Sequence, residues 1–166
     1  MGYICRQNNN DSLALIFYER ASEKFKEGGD EWRYAQSILN TSENYISLHQ
    51  FLDADSILQI AGAFHLDVSY IARFYETRGL YFYEQQQYDS ALVYFRKGFE
   101  NWESDADKCY SSLKIAQVYY DKNDLVLSIP YAQFIITHTK NLNFISNAYY
   151  CMMLEAQEKN DSQLVS

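Results

Sequence analysis

A small residue placed three positions before an aromatic one returns every 37 residues along this chain, as Ser42 with Tyr45, Gly79 with Phe82 and Ala116 with Tyr119. A period of that size in helix-forming sequence points to a stacked array, because one pair of helices cannot bury its own apolar face and must lean on neighbours. The helix-forming character comes from long stretches of Leu, Ala, Gln, Glu and Lys, interrupted by only six Gly and one Pro in 166 residues. An all-α solenoid is therefore expected, with one continuous core in a single domain.

With Gly79 as the anchor, a unit reads as two helices. The first covers about residues 70–85, Gln86 to Asp89 turn the chain, and Asp89-Ser90 are expected to cap a second helix from Ala91 to about Trp102. Ala54, Leu58 and Ala61, then Ala91, Phe95 and Gly98, then Ser128, Ala132 and Ile135 fall at equivalent places of the second helices. Ala14, Tyr18 and Ala21 extend the series toward the N-terminus at a spacing of 40. The chain thus divides into a partial unit (1–27), full units at about 33–65, 70–104 and 107–140, and a partial unit (143–166) whose first helix covers about 143–159. Gly28-Gly29-Asp30 combine a helix stop with a cap for the next helix, and Asp161-Ser162 read as a further turn. Both ends look cut through a unit, so the chain is expected to be part of a longer protein. Where the paired helices cross, Gly79 and Ala91, or Ala116 and Ser128, are expected to be small because the backbones approach closely, with Phe82, Phe95 and Tyr119 filling the space beside them.

These residues resemble the tetratricopeptide repeat family over nearly the whole length. The closest unit is Tyr75-x2-Arg78-Gly79-x2-Phe82 followed by Tyr88, Ala91, Phe95 and Gly98; Ile115-Ala116-x2-Tyr119 with Ser128 to Ala132 is also good, and Thr41-Ser42-x2-Tyr45 with Phe51 and Ala54 is weaker. The chain departs from the family in its longer pitch, in Arg78 and Thr41 at usually apolar places, and in Met153 at a usually small one. The resemblance implies a right-handed α-α superhelix of antiparallel helix pairs, with the first helix of each unit lining a concave groove. Carried over position by position, the groove stripe is Gln36, Leu39, Glu43 and Ile46; Arg73, Glu76, Leu80 and Tyr83; Tyr110, Leu113, Gln117 and Tyr120; Asn147, Tyr150, Leu154 and Gln157. Tyrosine suits such a surface, because a rigid ring loses little rotamer entropy and carries a hydroxyl that orients a ligand. Inter-repeat core also demands a second apolar stripe, so an individual Tyr or Leu here is expected to serve as core at least as readily as contact. The Lys and Asn clamp with which one subclass of the family grips C-terminal carboxylates is missing, since Leu39, Glu43, Arg73, Glu76 and Leu80 hold the equivalent places.

Composition narrows the function classes. A net charge of −8 disfavours direct binding to nucleic acid, whose phosphates would be repelled. No apolar run is long enough to span a bilayer, and Met1-Gly2-Tyr3-Ile4 begins no signal sequence, so a cytoplasmic location is expected, or a periplasmic one if a leader has been removed. Cys5, Cys109 and Cys151 are too few for a disulfide framework and read as reduced. None of His49, His65 and His138 lies at ligand spacing from another His or a Cys; His65-x-Asp67 reads as a cap or surface pair, and Cys109, though near a helix start, has no base placed beside it. No phosphate loop or catalytic signature is present, so neither an enzyme nor a cofactor is expected. The expectation is a protein-interaction scaffold whose groove holds a peptide or helix of a partner. The alternative is the sensor or oligomerisation portion of a bacterial signalling protein or transcription regulator, in which exposed repeat ends would pair two copies.

Overall fold

The computed structural model describes residues 11–165, with side chains through Gln157; Cys5 and the rest of residues 1–10 lie outside the described residues. It is all helical. Among the described residues eight helices follow one another: α1 (Asp11–Glu27), α2 (Glu31–Ser47), α3 (Phe51–Ala61), α4 (Val68–Glu84), α5 (Tyr88–Asn101), α6 (Asp105–Asp121), α7 (Leu125–His138) and α8 (Leu142–Val165). Each packs on the next in order, and α2 also touches α4, as α6 touches α8. Among the described residues no helix is long and apolar enough to cross a membrane.

The 37-residue interval governs the helix ends as well as the core. The first helices α2, α4, α6 and α8 begin at residues 31, 68, 105 and 142, and the second helices α3, α5 and α7 at 51, 88 and 125. Immediately before each first helix stands a short polar residue at the same phase: Asp30, Asp67, Ser104 and Asn141. Each accepts a hydrogen bond from a backbone N–H of the opening turn, at 3.0 Å for Arg33, 2.7 Å for Tyr70, 3.2 Å for Ala106 and 3.0 Å for Asn143. The side-chain oxygen thereby satisfies one of the donors that a helix start leaves without an internal partner.

Second helices start differently. Gln50, Gln87 and Asp124 precede them and make no side-chain capping bond. Asp89-Ser90, expected as the cap of α5, instead lie inside its first turn, and Asp89 pairs with Lys122 at 2.5 Å. What turns the chain is the closure of the preceding helix. His49, Gln86 and Asn123 take positive φ of 56°, 60° and 57°. Their N–H groups reach back to Ile46, Tyr83 and Tyr120, while the next residues' N–H groups bond the carbonyls of Tyr45, Phe82 and Tyr119 at 2.8–2.9 Å. This is the Schellman arrangement. The repeated aromatic therefore has a backbone task too, because its carbonyl closes the turn. Gly29, with φ 69°, makes the same closure after α1 and so ends that helix where the Gly-Gly pair predicts.

The left-handed conformation favours glycine, and a side chain there is strained by about 1–2 kcal/mol. Gln86→Gly is expected to raise the unfolding free energy by about 1 kcal/mol, the relief of strain outweighing the extra freedom glycine has when unfolded. Urea denaturation checks this, and a loss of stability would show that the Gln86 side chain matters more than its backbone.

The crossings are close where the sequence places small residues. Ser42 of α2 donates to the Ala54 carbonyl of α3 at 3.4 Å. One interval later, a Cβ added to Gly79 would lie 2.6 Å from Cδ1 of Phe95, whose ring is 1% exposed. Ala91, Ala116 and Ser128 are buried as well. Arg78, placed where an apolar residue is usual, lies 4.0 Å from Asp55 and covers the Tyr94 ring. Thr41 is buried with its hydroxyl donating to the Ser37 carbonyl. α8 stays helical through Asp161 and Ser162, beyond the turn expected there; its sequence contains no Gly or Pro to stop it.

Candidate functional site

Two adjoining clefts open along the first helices, sharing Phe95 and Lys114 in their walls. The larger, of about 400 Å³, draws Tyr83 from α4, Leu113, Gln117 and Tyr120 from α6, and Asn147 and Tyr150 from α8. All six belong to the stripe expected from the repeat. The smaller, of about 280 Å³, lies between α4 and α6 and brings in Glu43, Arg73, Glu76, Leu80 and Tyr110 from the same stripe. Thr77 and Trp102 complete it.

Five stripe residues line neither cleft, among them Gln36, which accepts a hydrogen bond from Arg73, and the exposed Gln157. Leu39 and Ile46 are fully buried, and Leu39 belongs to the core formed with Ala35, Leu58 and Tyr70. They are closed off where α2 packs directly against its neighbours. Leu154 is half-buried on α8 and lines neither cleft. Conversely, Phe95, Trp102, Thr77, Lys114 and Cys151 were not in the stripe. Lys114 and Thr77 each follow a stripe residue by one position, a signal that a strict helical stripe omits.

Why the smaller cleft exists follows from the packing order. α2 contacts α4 and α6 contacts α8, but α4 and α6 make no comparable contact. Side chains bridge the gap. At one end Ser111 and Trp102 both donate to Oε1 of Glu76, the latter at 2.8 Å. At the other, Tyr83 donates to Oδ2 of Asp121 at 2.6 Å, while Gln117 donates to Oδ1 at 3.1 Å. Burial, reinforced by Asp121, holds the Tyr83 phenol above its usual range.

Glu76 is the unusual member. It is 8% exposed and stands one interval from Leu39 on one side and Leu113 on the other. Gly98 makes the room: a Cβ there would come within 2.9 Å of Cγ of Glu76 and 3.4 Å of the Ala72 carbonyl. Burial pushes the carboxyl up to about 7, the donors Ser111 and Trp102 opposing it and the acidic Glu43 and Asp107 adding to it. Arg73, on the same helix, is engaged elsewhere, by Gln36 at 2.5 Å, by Asn40, and by Glu43 at 3.4 Å. Thr77 adds a bond to Glu43 at 3.3 Å. Lys114 lies over the Tyr110 ring, 5.4 Å from its centroid.

Asp67 caps α4 and accepts from the Trp32 indole at 3.1 Å. His65 contacts the Ala63 carbonyl, and His138 stacks on Phe134 with centroids 4.1 Å apart. Burial raises the thiols of Cys109 and Cys151, opposite to the activation that a helix start supplies. No protein-family model matches the chain, and no curated protein matches it.

Proposed function

We propose that this chain is a tetratricopeptide-like scaffold that holds a peptide or helix of a partner protein along its first helices, without catalysing a reaction. The observation that carries this reading is the convergence of stripe residues from α4, α6 and α8 on one cleft of about 400 Å³. Tyr83, Tyr120 and Tyr150 supply rigid amphipathic walls, and Gln117 and Asn147 supply amide groups that can pair with a bound backbone. In this reading the equal spacing of the first helices describes a right-handed superhelix with the clefts on its inner side. A second reading, an oligomerisation portion of a signalling protein, draws on the exposed Tyr149 and Met153 of α8 and Leu13 and Ile16 of α1, at the two ends of the described array.

Tyr120→Ala combined with Tyr150→Ala tests the first reading. Tyr120 is 39% and Tyr150 53% exposed, and neither belongs to the buried core, so the double variant is expected to keep its circular dichroism and most of its melting temperature. Peptides selected from a displayed library on the parent protein are expected to bind the variant at least tenfold more weakly, as for loss of aromatic contacts at the centre of an interface. Equal binding to both proteins would remove the larger cleft from the function.

A further inference from the structure

A carboxylate set among core positions, where the units on either side carry leucine, is costly unless something compensates it. The hydrogen bonds to Glu76 both end on Oε1, and no cation lies within ion-pair distance of it among the described residues. Glu76, 8% exposed, lines the cleft, and those two donors leave Oε2 to it. The charged groups facing it are Glu43 of α2, Arg73 of its own helix and Asp107 and Lys114 of α6, while α5 presents Gly98. Arg73 is held by three acceptors of α2, and Lys114 sits over Tyr110. Trp102, Tyr110 and Phe95 supply aromatic walls. A carboxylate walled by apolar ring surface is a setting that attracts an alkylammonium ion, the charge and the N–H donors pairing with the carboxylate and the alkyl part meeting the rings.

From this geometry we infer that the cleft between α4 and α6 is a binding site for a primary ammonium group, seated on Glu76 beside Trp102. The source it fits is a lysine side chain of the bound partner segment; only this assignment of source rests on the groove reading above. Binding supplies the missing counter-charge and so favours the ionised carboxylate.

The indole N–H resonance of Trp102, assigned with Trp32→Phe, reports directly on the group that holds Glu76. Titration with n-butylammonium at pH 8 is expected to shift it saturably, and 1-butanol is not. The affinity is expected to fall about thirtyfold between pH 8 and pH 5.5, as Glu76 takes up its proton. Glu76→Gln, which keeps the size and the acceptor, is expected to weaken binding at least tenfold; should it fail to fold, the pH profile of the parent protein carries the test. Nα-acetyl-lysine N-methylamide is expected to bind more tightly than n-butylammonium, and if it does not, the lysine source is rejected while the ammonium site stands. No shift at pH 8, an equal response to 1-butanol, or a response in Lys114→Met alone, which would make Lys114 the resident counter-ion, overturns the inference. The Tyr120 and Tyr150 double variant lines the other cleft and is expected to keep the ammonium response, so failure of either reading is seen separately.

Discussion

Phe95→Ala is expected to lower the unfolding free energy by about 3–5 kcal/mol, the range for emptying a buried aromatic site. The ring is 1% exposed, packs with Ile115, Val118 and Tyr119, and occupies the space that a side chain at Gly79 would need. It also forms a wall of both clefts, so its loss deforms the whole candidate surface. The reason for the size of the effect can be isolated with Gly79→Ala. In the parent protein the added methyl meets a buried ring at 2.6 Å, and overpacking of about 1–3 kcal/mol outweighs the roughly 1 kcal/mol that alanine gains over glycine in a helix. In the Phe95→Ala background the clash is gone, and Gly79→Ala becomes neutral or stabilising. Urea denaturation of the four proteins gives the coupling, expected at about 2 kcal/mol; simple additivity would mean that the two residues do not share one space.

Glu76→Gln is expected to stabilise the protein by up to about 3 kcal/mol at pH 8 and by little at pH 4.5. The carboxyl is raised from 4.5 to about 7 on folding, so the folded chain holds its proton more tightly than the unfolded chain. Stability from this group is therefore full below about 4.5, is lost as pH rises toward 7, and is level above that. The amide resembles the protonated acid and carries no such dependence. Melting temperatures of both proteins across this window check the sign: a parent protein that gains stability from pH 5 to 7 relative to the variant would show that Glu76 is stabilised as an anion.

The helix pairs, their interval and the close crossings are written in small and aromatic residues whose spacing can be read directly. Caps such as Asp30 are equally plain. The turn residues are not, because histidine and glutamine at positions 49 and 86 carry no left-handed signature, and only the position of the preceding aromatic carbonyl reveals their role. The site was legible as a stripe but not as a surface. Leu39 and Glu76 share one phase of the repeat, yet Leu39 is sealed in the core while Glu76 lines a cleft, because α2 reaches α4 and α4 does not reach α6 in the same way. That difference depends on partners remote in sequence, such as Gly98, Trp102 and Ser111, which no local pattern joins to Glu76.

Because caps, turns and crossings all recur in one phase, the chain can change length in whole units without rewriting its punctuation. Excision of residues 68–104 would leave Asp67 preceding α6, in the place where Ser104 now stands. The shortened protein would retain its grammar of helix starts and stops, but Glu76, Phe95 and Gly98 would all leave together. Architecture in this molecule is thus modular, whereas the buried carboxyl of Glu76 and the Phe95 ring that walls both clefts belong to one unit alone.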